Sequence, residues 1–373
     1  MADVSVNLCG IDLENPFVVA SGPLTWSAKG IQDAYAAGAA AAVTKTIRPE
    51  ATVNPVPHIA SPRRGGGLLN TEGWSDFSAG EWLERELPLL TKRDGVLIVS
   101  LGHTAAEVEQ LARPLAEAGA DILELVSYRA QDAAPMVAAA KQAVAIPVLI
   151  KVTANWPDLL LVVADCLAAG ADGVTAIDSI GPTLRVDIDE GEPVLGSYAW
   201  LSGEAIRPIS LRVVADICLR HDVPVVGTGG VGRAEDAVEM IMAGATAVGV
   251  HTAPLLRGLG WLGKTEKQLN RWLDAREHAR LADLRGIALA SLRAAEGHES
   301  QLPDVPAPLS FDFDADTCTQ CGRCVTVCAY QARELTADRG MLLDAVECRS
   351  CGVCVTVCAP RSLTIREERK AGA

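Results

Sequence analysis

The sequence predicts an α/β protein: a (β/α)8 barrel of parallel strands over residues 1–300, then a short linker and a small cysteine-rich α+β domain. Three observations predict it. Eight short apolar runs alternate with helical stretches across the first 300 residues. Four of those helical stretches end on the same small-residue punctuation around a glycine. Residues 311–373 hold eight of the eleven cysteines, in two copies of one spacing.

The runs are FVVA (17–20), AAVTKT (41–46), GVLIVSLG (95–102), DILELV (121–126), PVLIKVT (147–153), GVTAID (173–178), PVVGTGG (224–230) and AVGVHTA (247–253). They are continuously apolar rather than alternating, the pattern of parallel strands buried on both faces. The punctuation is AAGAAA (36–41), EAGAD (117–121), AAGADG (168–173) and MAGATA (242–247), where a glycine ends a helix in the left-handed region and a strand begins at once. Eight βα units in about 300 residues fit a TIM barrel. A doubly wound open sheet is the alternative. QLPDVPAPLS (301–310), with three prolines, reads as a stiff linker, and the tail REERKAGA (366–373) as a frayed end.

Composition narrows the function classes. A formal charge of −14 argues against a nucleic-acid surface, which needs clustered Lys and Arg. No apolar stretch is long enough to span a bilayer, and Met1 to Pro16 has no apolar signal-peptide core, so a cytoplasmic protein is expected. Cys9, Cys166 and Cys218 lie in apolar or helical contexts and read as small core residues.

The other eight cysteines read C-x2-C-x2-C-x3-C twice: Cys318, Cys321, Cys324, Cys328, then Cys348, Cys351, Cys354, Cys358. Structural zinc takes two separated C-x2-C pairs. Four thiols at this tighter spacing form the bacterial ferredoxin run for a [4Fe–4S] cube, whose last cysteine ligates the other cluster. The expected ligand sets are Cys318, Cys321, Cys324 and Cys358, and Cys348, Cys351, Cys354 and Cys328. A zinc-ribbon pair or a disulfide framework is the competing reading. Ala329 stands where a proline commonly follows the fourth cysteine, without touching the ligands.

In a TIM barrel the chemistry sits at the C-terminal ends of the strands. Those ends carry Ala20 and Ser21, Lys45 and Thr46, His103, Ser127 and Tyr128, Lys151, Asp178 and Ser179, Thr228 to Gly230, and His251 and Thr252. Two lysines ending apolar strands should face an anion, because an unpaired buried ammonium is costly. The bland alternative is a structural pair with a carboxylate in the barrel mouth. GTGGVG (227–232) matches G-x-G-x-x-G but lacks the ribose-binding acid about twenty residues on, so it reads as a phosphate loop after the seventh strand. A phosphate-bearing cofactor beside iron–sulfur clusters points to FMN, which converts single-electron transfers into two-electron chemistry.

At these residues the chain resembles a known family. NPFVVASGPLT, VTKTI, LLNTE, ADILEL, IPVLIKVTAN, ADGVTAID, SGEAIRPISLR and VPVVGTGGVGRAEDAVEMIMAGATAVGVHTA follow one another as in the FMN barrel of dihydropyrimidine and dihydroorotate dehydrogenases. The two-cluster domain is similar to that of dihydropyrimidine dehydrogenase. The resemblance implies FMN contacts from Ala20, Ser21, Lys45, Thr46, Lys151, Gly203, Thr228, Gly229, Gly230, His251 and Thr252. It places Asn70 and Glu72 beside the substrate, with Ser127, Asp178 and Ser179 at the neighbouring strand ends. Lys151 would then stabilise negative charge on reduced flavin. The family's exchange of the cluster domain between subunits implies a homodimer.

One place departs. The family carries ELNLSCP after the fourth strand; this chain has ELVSYRAQD (124–132). Val126 replaces the substrate-gripping asparagine, and no cysteine follows in the loop. The Asn-Thr pair after the sixth strand has become Asp178-Ser179. Each buried pyrimidine group left unpaired typically costs about 1–3 kcal/mol, which disfavours uracil, thymine and dihydroorotate. The expected function is reduction of an activated C=C bond in another ring or enone, with Tyr128 as proton donor and His103 and Glu72 as other acids. A packing role for Tyr128 is the alternative. No segment suits a nicotinamide dinucleotide, so electrons are expected from a ferredoxin or a separate NAD(P)H-oxidising flavoprotein. Rival readings are a non-catalytic electron-transfer subunit, a true dihydropyrimidine or dihydroorotate dehydrogenase with an altered loop, and an RNA-modifying flavin barrel.

Overall fold

All eight apolar runs become strands of one closed parallel barrel. The computed structural model describes residues 2–61, 67–296 and 310–366, and the chain divides into two units, Met1–Glu296 and Gly297–Ala373. The barrel strands are β1 (Phe17–Val19), β2 (Ala41–Val43), β3 (Val96–Leu101), β4 (Ile122–Val126), β5 (Val148–Val152), β6 (Gly173–Ala176), β7 (Val225–Thr228) and β8 (Ala247–Val250). Each pairs in parallel with the next, and β8 closes on β1 through Gly249 opposite Val18. Almost every strand residue is buried, as the continuous apolar runs require. Each fully buried Val, Leu or Ile contributes about 1.5–3 kcal/mol of transfer free energy.

The glycine punctuation has a shared geometry. Gly38, Gly119, Gly170 and Gly244 all have φ between 103 and 113°. After each, the next N–H reaches back five residues, as Ala39 N does to Ala34 O (3.1 Å) and Ala245 N to Met240 O (3.0 Å). This is the six-to-one bond of a Schellman cap, which satisfies a helix-end carbonyl and turns the chain into the next strand.

Segments inserted after β2 and β6 pair above the barrel mouth in a four-stranded antiparallel sheet. Its order is Ile180–Thr183, Ala199–Ser202, Leu68–Asn70, Ile59–Ala60. Trp200 lies opposite Asn70 in that register. Of the barrel unit's cysteines, Cys166 is buried in the core, and Cys9 and Cys218 pack against it partly buried. Burial pushes the Cys9 and Cys166 thiols up to about 12 and Cys218 to about 11, so they stay protonated at neutral pH.

The second unit is built twice over. Each cysteine run contains a one-turn helix, Arg323–Thr326 and Val353–Thr356, entered through a left-handed glycine, Gly322 (φ 72°) and Gly352 (φ 76°). Two antiparallel strand pairs complete it: Ser310–Phe313 with Leu363–Arg366, and Arg333–Leu335 with Met341–Leu343. Residues 301–309 of the proline-rich linker and the tail after Arg366 lie outside the described residues.

Candidate active site and cluster sites

The strand ends and the overlying sheet line one open cavity. Its lining includes every sequence-predicted barrel-site residue except Ser127 and His103. Val126 and Tyr128 both line it, and in an extended chain the residue between them points the other way. Ser127 is buried instead, its hydroxyl accepting the Arg129 N–H at 3.2 Å. His103 sits behind the lining, its ring 5.1 Å from Trp74 and 5.9 Å from Tyr128.

Two buried lysines reach the cavity from β5 and from just beyond β2. Lys45 Nζ lies 3.2 Å from a Glu72 oxygen, and Lys151 Nζ lies 3.2 Å from Asp178 Oδ1. Each lysine thus meets a carboxylate of this chain, the arrangement set aside in the sequence as the bland alternative, but both pairs stand on the cavity wall. Burial would lower the Lys151 pKa; Asp178 and then Glu124 outweigh it and raise it, so the ammonium is held charged. Glu124 itself is buried within the barrel, accepts the Thr175 hydroxyl at 2.8 Å, and has its pKa raised by burial.

The β7 and β8 side is shaped by backbone. Gly229 and Gly230 have φ of 124° and 84°, and a Cβ on Gly230 would come within 2.8 Å of the Arg207 backbone. Only glycine fits there. His251 donates from Nδ1 to the Ala20 carbonyl at 2.8 Å, which leaves Nε2 as a buried acceptor with no partner among the described residues. Burial pushes this imidazole down to about 4, with Lys45 and Lys151 adding to the effect, so the ring is neutral. Gly22 gives His251 its room, since a Cβ there would lie 2.6 Å from the ring.

The opposite side is aromatic. Trp74, Tyr128 and Trp200 stack in series, with centroids 4.8 Å and 5.9 Å apart. The Trp156 indole N–H donates to the Tyr128 carbonyl at 3.2 Å and pins that backbone. Burial, then Asp178 and Glu72, push the Tyr128 phenol pKa up, so it is a proton donor at neutral pH. Since 44% of the residue is exposed, the two carboxylates are the firmer cause. Trp74 and Trp200 escaped the sequence reading, because each joins the cavity from an inserted segment rather than a strand end.

In the second unit, Cys318, Cys321, Cys324 and Cys358 line one cavity, bringing the fourth cysteine of the second run to the first three of the first run. This is the crossed set expected for a two-cube domain. All eleven thiols are free. Among the described residues no three of His, Cys, Asp or Glu converge as ligands of a single ion would. A cavity ringed by four thiols suits a cube, and an unpartnered buried acceptor beside two cations suits the N–H or hydroxyl donors of a flavin ring and its ribityl chain.

Comparison with known proteins agrees. The dihydroorotate dehydrogenase family pattern matches residues 3–273, and a 4Fe-4S dicluster domain matches residues 311–368. The chain is 30% identical over 307 residues to a dihydroorotate dehydrogenase B (NAD(+)) catalytic subunit of Methanothermobacter thermautotrophicus, covering 76% of this chain and 98% of that one. It is 31% identical to the protein so named in Pyrococcus abyssi (77% and 99% covered) and 33% to that of Methanosarcina mazei (75% and 94%).

Proposed function

Because the chain belongs to the dihydroorotate dehydrogenase family and carries a 4Fe-4S dicluster domain, we propose that it reduces an activated C=C bond in a conjugated substrate other than a pyrimidine. It is an oxidoreductase acting on CH–CH groups, with FMN and two [4Fe–4S] clusters as cofactors. The observation that carries the substrate reading is the wall at the end of β4. Val126 and Tyr128 line it, and no cysteine lines the cavity. With no thiol on it, the wall lacks the cysteine that the family resemblance implies for moving a proton on the ring. A phenol kept protonated is suited to giving one.

Bound FMN would supply hydride chemistry. Thr228, Gly229, Gly230 and Thr252 would cradle its phosphate, with Gly203, Ala20, Ser21 and Thr46 against the rest of the molecule. Lys151 would place its cation where reduction adds negative charge, and Lys45 and His251 would hold the ring from the same side. Asn70, Glu72, Asp178 and Ser179 would orient the substrate between Trp74 and Trp200. Tyr128 would then protonate the substrate carbon next to the one that receives hydride. Asp178 accepts hydrogen bonds where an amide would both donate and accept, so a substrate N–H, O–H or cationic group suits it.

Electrons would come through the clusters from a ferredoxin or from a separate NAD(P)H-oxidising subunit, as a homodimer in a reducing cytoplasm. The relatives' description as NAD(+)-linked catalytic subunits supports a separate subunit. Their names also favour a second reading, dihydroorotate oxidation with an altered loop. Anaerobic mixing separates the two. In our reading, photoreduced protein is reoxidised by an activated enone, and oxidised protein is not bleached by dihydroorotate. Bleaching by dihydroorotate with no response to any enone would establish the second reading.

A further inference from the structure

The two halves of the cluster domain align without a gap from the first cysteine to the strand after the fourth, which puts Arg333 and Leu363 at the same place in the repeat, five residues beyond Cys328 and Cys358. Both side chains are buried, at 6% and 1% exposure. Leu363 lines the cavity of the first thiol set. Arg333 does something an apolar side chain cannot: its Nε donates to Cys354 Sγ at 3.1 Å. Its Nη1 donates to Met341 Sδ at 3.2 Å, and its guanidinium lies 4.4 Å over the Phe311 ring. Nη2 is buried with no partner. No described carboxylate forms an ion pair with it.

A buried guanidinium with only sulfur, an aromatic face and an unused N–H around it is costly unless an anion is near. A cube held by four thiolates is an anion, and it gains a further negative charge on reduction. A cation and an N–H···S bond favour the more negative state, and hydrogen bonds to the sulfurs are among the controls of cluster potential. Arg323, the cation of the first helix, is exposed, so its charge is screened by water and salt.

We propose that Arg333 makes the two clusters unequal: the cube of Cys328, Cys348, Cys351 and Cys354 takes the first electron, and the cube of Cys318, Cys321, Cys324 and Cys358 takes the second. The step is a simple one-electron reduction of each cube by an external low-potential donor. It rests on the cofactor reading above, and iron content separates the two failures.

The test is an anaerobic redox titration of the full-length holoprotein with dithionite, followed by electron paramagnetic resonance, for the wild type and Arg333→Met. The wild type should reduce in two resolved one-electron steps. In Arg333→Met, with iron and sulfide unchanged, the upper step should fall by at least a tenfold change in reduced population at fixed potential, about 59 mV for one electron. Arg333→Lys should keep part of the separation. If the Met variant does not assemble, the wild type labelled with arginine carrying 15N only in the guanidinium decides: the first-reduced cluster should show a nitrogen coupling that the second lacks. A single unresolved wave in the wild type, an unchanged upper step in Arg333→Met, or no 15N coupling at the first-reduced cluster would overturn the proposal. Absence of iron from the wild type would remove the cofactor reading with it.

Discussion

Two walls of the barrel cavity are built by different means. The wall at β7 and β8 is made of backbone: glycines with positive φ, a carbonyl that fixes the His251 tautomer, and the start of a short helix at Thr252. The wall at the ends of β4 and β6, closed by the antiparallel sheet, is made of side chains: Val126, Tyr128, Asp178, Trp74 and Trp200. Backbone recognition tolerates few substitutions, because a Cβ at Gly230 collides with the main chain of Arg207. Side-chain recognition can be rewritten one residue at a time with the strands left in place.

The largest expected effect follows from breaking the backbone wall. Gly230→Ala should abolish FMN retention, read as loss of the flavin absorbance after purification, with iron content unchanged. Wild type should hold about eight iron and about eight sulfide per chain, as two cubes require, with about one FMN. Next comes the side-chain wall. Tyr128→Phe should retain FMN yet slow substrate-dependent flavin reoxidation by about 10²-fold or more, the span usual for a general acid, while cluster-to-flavin transfer keeps its rate. An unchanged reoxidation rate would make Tyr128 a packing residue.

Smaller effects sharpen the same contrast. Val126→Asn with Asp178→Asn should improve orotate binding by about 1–3 kcal/mol for each amide partner regained, measured by titration of the flavin spectrum. The smallest effect is one of pH. The folded-state pKa of His251, about 4, lies below the usual 6.5, so between those values the unfolded chain binds a proton that the folded chain refuses. Stability is full above about pH 6.5 and falls as pH drops toward 4. By pH 5.5 the loss should be about 1 kcal/mol relative to His251→Gln in urea unfolding.

Much of this molecule could be read from local pattern. The eight strands, the four glycine caps and the spacing of the two cysteine runs each depend on neighbours within a few residues. The cavity's aromatic side could not be read that way. Trp200 meets Asn70 only because two inserted strands pair across 130 residues. Ser127 was assigned to the site although the two-residue period of an extended chain turns it away from Val126 and Tyr128. The lysines were expected to face a ligand anion; their carboxylate partners, Glu72 and Asp178, come from other strand ends and loops. Nothing in the segment around Arg333 shows that it reaches Cys354, twenty-one residues away.

The central claim is that a family flavin site has been joined to a substrate wall that no longer serves a dihydropyrimidine ring. Rapid mixing of oxidised holoprotein with dihydroorotate, without oxygen, tests it most directly. The account predicts that flavin absorbance stays unchanged over minutes, while photoreduced protein is reoxidised by an activated enone and does so about 10²-fold more slowly in Tyr128→Phe. Bleaching of the flavin by dihydroorotate at about 1 s⁻¹ or faster, an ordinary enzymatic turnover, would contradict it.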